Sequence, residues 1–239
     1  MAGHSHWKSI KHKKAVVDAR RGKQWGKLAR LIIIAAKNGA NPDDNLALRY
    51  AIDKARAANM PNDTIDKNVK RGCGEFGSDN FENITYEGYG PGGIAILVEA
   101  LSNNRNRAAG EIRTIFDHNG GSMGATNSVA WMFSRKGVIN IERAQVAEDK
   151  LMELAIEAGA EDVQVSEEGY EIITAMTDFE PVRKALVAAK IALVSAEFVS
   201  IPSQTVQLSG EKAESMQALI EMFEENDDVQ NVFTNADFQ

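Results

Sequence analysis

Cysteine is nearly missing from this chain, with Cys73 alone among 239 residues. A single thiol excludes an internal disulfide framework and every cysteine-based zinc cluster. Long apolar runs are missing too. The longest, Leu31 to Ala36, is six residues, far short of the roughly 20 that cross a bilayer. Met1 to Lys14 carries charge without an apolar core, which does not read as a secretory signal, and Ala2 after Met1 does not fit a myristoylation site. These shortages predict a cytoplasmic protein. Three of the four histidines, His4, His6 and His12, fall near the start with no carboxylate beside them, so no metal site is expected there. No cofactor is expected either.

Acid is also missing where it would matter most. Met1 to Val17 has four lysines and no Asp or Glu. Through Arg71 there are 16 lysines and arginines against 6 acids, a charge of +10, whereas the remainder has 11 against 28, or −17. The net charge of −7 hides that split. An asymmetry of this size points to a basic module that meets an anion and an acidic body that does not.

The basic part reads as an arm over Met1 to Val17 followed by three helices. The first spans about Asp18 to Lys37. The second is capped by Asn41 with Pro42 at its first position and buries Leu48, Ala51, Ile52 and Ala55. The third is capped by Asn62, carries Ile65 and Val69, and closes at Gly72. Gly72 to Asn83 reads as a linker. Beyond it the apolar period shifts to alternating strands and helices. Val138 to Ile201 has the order β-α-β-β-α-β, a ferredoxin-like unit, with Thr177 and Glu180 spaced as a capping box. The β-α-β stretches on either side predict that this unit is inserted into another. The expected architecture is therefore multi-domain, α followed by α+β. It comprises a helical domain over 1–76, a discontinuous α+β domain over 81–134 plus 203–239, and an inserted ferredoxin-like domain over 135–202.

The first helix carries the sharpest chemical signal. Arg20, Lys23, Lys27 and Arg30 fall on one stripe, opposite Trp25, Leu28, Ile32 and Ala36. No acid on that face relieves their repulsion, and a phosphate backbone would. With Arg21 beside the stripe, and Trp7, Lys8, Lys11, His12, Lys13 and Lys14 on the arm, the pattern predicts a nucleic-acid grip in which Trp7 stacks on a base. A solvated cationic face is the bland alternative. A second anion contact is expected at Asn104, Arg105 and Arg107, where two cations sit unfavourably at a helix N-terminus. Surface pairs with Glu99 or Glu111 are the alternative there.

Other patterns are set aside. Gly72, Gly74 and Gly77 follow a helix, and Gly88, Gly90 and Gly93 precede a strand. A dinucleotide fingerprint needs strand, glycines, then helix. The second set reads as a Pro91 turn between Tyr86 and Ile94. Asp227 and Asp228 read as a solvated acidic turn. No Ser, His and Asp set converges, so no enzyme is expected.

A set of motifs spread over the whole chain resembles the YebC/PmpR family. It includes Gly3, His4, Ser5 and Trp7, then Lys13, Lys14 and Asp18 to Lys23. Ala35 to Lys37, Tyr86 to Gly93, Asn104 to Arg107 and Gly120 to Gly124 continue it. So do Phe133, Lys136 and Gly137, Ala158 to Asp162, Ile201 to Ser203 and Asp227 to Gln230. His6 stands where the family pattern has a lysine, which weakens one phosphate contact. The resemblance implies a three-domain, non-enzymatic protein. Members are described as DNA-binding probable transcriptional regulators. Mitochondrial relatives activate translation of cytochrome oxidase subunit one, and bacterial ones are linked to proline-rich stretches on the ribosome. The expected partner is thus duplex DNA, or alternatively ribosomal RNA and the ribosome. No membrane partner is expected, and the expected oligomeric state is a monomer or weak dimer.

Overall fold

The computed structural model describes residues 21–75 and 80–238, and among them helix α1 (Arg21–Ala36) comes first. Of Arg21 only the backbone is described. Leu28, Ile32, Ala35 and Ala36 form the buried stripe of α1. They pack against Leu48, Ala51, Ile52 and Ala55 of α2 (Leu46–Ala57) and Ile65 of α3 (Asn62–Gly72). The Trp25 indole donates to the Ala58 carbonyl at 3.0 Å and ties α1 to the end of α2.

The caps differ from the sequence reading. Asn45, not Asn41, caps α2, with its side chain accepting from Leu48 N at 3.1 Å. Its amide also donates to the carbonyls of Ala35 and Gly39, at 2.8 and 2.9 Å, so one buried side chain closes α1 and opens α2. Asn41 instead makes a local turn, accepting from Asp43 N. Pro61, not Asn62, stands at the α3 cap. Gly72 is required by packing: a Cβ there would lie 2.4 Å from the Ile33 carbonyl oxygen.

The described residues form two compact units, 21–130 with 208–234 and 131–207 with 235–238. The first holds the three helices and a four-stranded antiparallel sheet of order β3-β1-β2-β9. Its strands are β1 (Glu82–Gly90), β2 (Ile94–Ser102), β3 (Ser122–Met123) and β9 (Val229–Thr234). Helices α4 (Arg105–His118) and α7 (Gly210–Glu225) pack on it and on each other, with Phe116 meeting Phe223 edge-on at 4.7 Å.

Strand β1 is absent from the sequence reading, which placed a linker and a turn there. Glycine hides it. Ile84, Tyr86, Gly88 and Gly90 alternate as its buried face. A Cβ on Gly88 would lie 2.7 Å from the Phe116 ring, and one on Gly90 would lie 2.7 Å from Met216 Sδ. The close approach of α4 and α7 thus selects glycine where a strand normally shows large apolar residues. Gly92 and Gly93 have φ of +78° and +75° and make the turn into β2.

On the outer face of β1, Glu87 is 5% exposed and accepts from the backbone N–H groups of Asn127, Val129 and Ala130 at 2.7, 2.8 and 2.7 Å. Burial pushes its carboxyl up, but those three donors outweigh burial and hold it below the usual range. A 3₁₀ turn at Ala130–Met132 leads from there into β4 (Phe133–Glu142).

The second unit is ferredoxin-like. Strands β4, β5 (Asp162–Val165), β6 (Gly169–Thr174) and β7 (Ser195–Pro202) pair antiparallel in the order β5-β6-β4-β7. Helices α5 (Glu148–Glu157) and α6 (Phe179–Ala188) complete the β-α-β-β-α-β order. Gly137 lies under the Phe179 ring, so the alternation puts Ile139, Ile141 and Ile172 on the helix side, all fully buried. The expected capping box at α6 does not form: Glu180 pairs with Arg183 at 2.9 Å, and the cap makes no side-chain bond. Strands β8 (Val206–Leu208) and β10 (Ala236–Phe238) make a separate two-stranded pair.

Candidate nucleic-acid interface

Helix α1 presents Lys23, Lys27 and Arg30 on one side because its other side is consumed by the bundle core. That stripe meets the C-terminal end of α7. Lys27 Nζ donates to the Glu224 carbonyl at 2.6 Å, Lys23 Nζ to the Glu225 carbonyl at 3.4 Å, and Arg30 to the Asp227 carbonyl. The last carbonyls of a helix lack intrahelical donors and carry the negative end of its dipole. Helix α7 has no basic residue in its last turn and ends on Glu224 and Glu225. The cations it lacks locally come from α1, nearly 200 residues away.

Arg30 reaches further. Its Nη1 lies 3.1 Å from Asp228 Oδ1, and its guanidinium stands 5.7 Å above the Phe81 ring. Asp228 is not a solvated turn residue, because its side chain is 3% exposed. Its Oδ2 accepts from Ser102 Oγ and from Arg107 Nη2, both at 2.7 Å. The backbone is pinned as well, with Leu101 N donating to the Asp228 carbonyl at 2.7 Å. One buried carboxylate therefore holds two arginines, from α1 and from α4.

The polar run at the start of α4 resolves into separate roles. The Asn104 side chain accepts from Arg107 N at 3.1 Å and caps the helix. Arg107 turns to Asp228, with Glu111 at 3.8 Å as a secondary partner. The anion that reverses its unfavourable position is thus internal. Arg105 remains 64% exposed, with Glu82 at 4.0 Å. Neither arginine pairs with Glu99, which accepts from Asn231.

Some other cations on the bundle are exposed. Lys37, Arg56, Lys67 and Lys70 all face solvent. The ends of α1 and α3 converge, since Gly72 abuts Ala36 and Cys73 Sγ approaches the Ala36 carbonyl at 3.7 Å. This brings Lys37 and Lys70 to one end of the bundle, an arrangement the helical-stripe reading missed because the residues belong to different helices. Trp7, Lys8, Lys11, His12, Lys13, Lys14 and Arg20 lie outside the described residues, as do His4 and His6. Among the described residues no three His, Cys, Asp or Glu side chains converge as metal ligands, and no helix is long and apolar enough to cross a membrane.

The fold defines a class in which a small helical bundle precedes two α+β parts, one of them ferredoxin-like. Two family models match in that order, described as "TACO1/YebC protein N-terminal domain" over residues 5–75 and "TACO1/YebC second and third domain" over residues 81–236. The chain belongs to the TACO1/YebC family. A protein of Pelotomaculum thermopropionicum named "Probable transcriptional regulatory protein" is 50% identical, over 100% of both chains. One of the same name from Caldicellulosiruptor saccharolyticus is 51% identical, over 98% of each. The crystal structure of a conserved hypothetical protein from Aquifex aeolicus superposes with a TM-score of 0.88 at 43% identity, covering 98% of this chain and 97% of that one.

Proposed function

We propose that this chain is a non-enzymatic regulator of gene expression that binds duplex DNA in the cytoplasm through its basic N-terminal part. The observation that carries the reading is the charge split, +10 through Arg71 against −17 beyond it. Condensed counterions released from a phosphate backbone drive binding to the first and not to the second. The names of the relatives, probable transcriptional regulatory proteins, support the same reading.

Within the basic part the grip is redistributed. Lys23, Lys27 and Arg30 already face carbonyls and a carboxylate. The burden of phosphate contact falls on Lys8, Lys11, Lys13, Lys14, Arg20 and Arg21, with Trp7 and His12 beside them. Lys37 and Lys70, exposed at the converging ends of α1 and α3, extend that surface. Arg105 is a minor contact.

Replacing Lys8, Lys11, Lys13 and Lys14 together by glutamine is expected to reduce the salt dependence of duplex binding by about 3.6 in log–log slope. An unchanged slope sinks the proposed grip. Competition at about physiological salt between duplex DNA and purified ribosomes decides the target. Retention on DNA supports the reading, whereas transfer to ribosomes at low ribosome concentration replaces it with a translation factor bound to ribosomal RNA.

A further inference from the structure

Alternation along the ferredoxin-like sheet places a second set of residues on the face turned away from α5 and α6. Opposite Ile139 and Ile172 come Asn140 of β4 and Glu171 of β6, which stand directly across from each other in the strand register. Gln164 of β5 continues the row on one side and Ser195 of β7 on the other. Asn140 is fully buried and Glu171 is 6% exposed. The two amide groups of this row already have acceptors elsewhere: Asn140 Nδ2 donates to Ser195 Oγ at 3.0 Å, and Gln164 Nε2 to Asp162 Oδ2 at 3.2 Å. Two acceptors, Asn140 Oδ1 and Glu171 Oε2, are left buried without a hydrogen-bond donor.

We infer that Glu171 and Asn140 form a site for a cationic N–H donor, the ammonium or guanidinium of a lysine or arginine side chain. Buried acceptors without donors are strongly disfavoured, and adjacent ones are satisfied together by a group with several N–H bonds on one atom or fork. The charge is matched as well. By the same alternation Asp162 on β5, Glu142 on β4 and Glu197 on β7 share this face, and Lys136 is held by Glu161 at 2.7 Å. Burial first, then the nearby Asp162 carboxylate, pushes Glu171 up to about 8. A cation at Oε2 reverses that direction. The site does not rest on the nucleic-acid reading, since its observations come from the ferredoxin-like sheet alone and are read out separately.

The test follows the Glu171 carboxyl by carbon-detected NMR titration in the full-length chain carrying glutamine at Lys8, Lys11, Lys13, Lys14 and Arg20. Glu171 is expected to titrate near 8, and millimolar tetralysine to lower that value by about one pH unit or more, a tenfold change in proton affinity. The same peptide should shift the Asn140 side-chain amide, and Glu171→Gln should abolish that shift. The unsubstituted chain identifies the source. A Glu171 already in the ordinary carboxylate range assigns the cation to this chain's own basic segment, and one near 8 until peptide is added assigns it to a separate polypeptide. A Glu171 that ignores tetralysine, an ordinary value in the neutralised chain before peptide is added, or an amide shift that persists in Glu171→Gln overturns the proposal.

Discussion

The Arg107 guanidinium lies 2.7 Å from the Asp228 carboxylate, 121 residues further along the chain. Arg30 stands 3.1 Å from the other oxygen of the same carboxylate, an ion pair by distance that is not aligned as a hydrogen bond. Two arginines that look like separate phosphate ligands in the sequence therefore share one internal anion. The helical bundle and the first α+β part are joined there by charge as well as by packing.

Asp228→Ala removes that anion and leaves two guanidinium groups facing each other with no counter-charge. Arg30 and Arg107 retain 24% and 48% exposure, so solvent recovers part of the loss. A destabilisation of about 2 kcal/mol is expected in urea denaturation, below the 3–5 kcal/mol of a fully buried pair. A double-mutant cycle with Arg107→Ala should return a coupling of about 1 kcal/mol or more. Zero coupling would mean that the pair adds nothing beyond packing.

Glu87 gives a prediction with a definite sign in pH. Its folded carboxyl is held below 4.5, the ordinary value, by three backbone donors that outweigh burial. Its contribution is then fully present above the unfolded value and is lost as pH falls through the folded one. Glu87→Gln offers one acceptor oxygen in place of two and should cost about 1–3 kcal/mol at neutral pH. The gap between parent and variant in urea midpoint should narrow below about pH 4. A gap that stays constant down to pH 2 would show that the charge on Glu87 is irrelevant.

Gly88→Ala tests why β1 carries glycine. The added methyl would meet the Ser122 carbonyl oxygen at 2.5 Å and the Phe116 ring at 2.7 Å. Neither is the free end of a flexible chain, so the sheet and α4 must separate. Overpacking of this kind costs about 1–3 kcal/mol, and circular dichroism melts should show it as a lowered midpoint. Gly110→Ala, where nothing lies within 4 Å, is the matched control and should be neutral or mildly stabilising in its helix.

The sequence by itself determined the local chemistry. The α1 core stripe of Leu28, Ile32 and Ala36 was legible in its helical spacing. So was the β-α-β-β-α-β order between β4 and β7, because apolar period and turn residues act over a few neighbours. The uneven charge is likewise a property of the chain alone, and so are the motifs spread from Gly3 to Gln230. Tertiary structure decided everything that depends on which distant atoms approach. Strand β1 was invisible because Gly88 and Gly90 answer to helices that follow them by tens and by more than a hundred residues. Asn41, with Pro42 after it, reads as the cap in sequence, but it is Asn45 that has the Ala35 and Gly39 carbonyls within reach. The fate of Lys23, Lys27 and Arg30 was decided in the same way. Their charge was plain from the sequence, but their partner is the end of α7, since electrostatic attraction acts through space and is blind to separation along the chain.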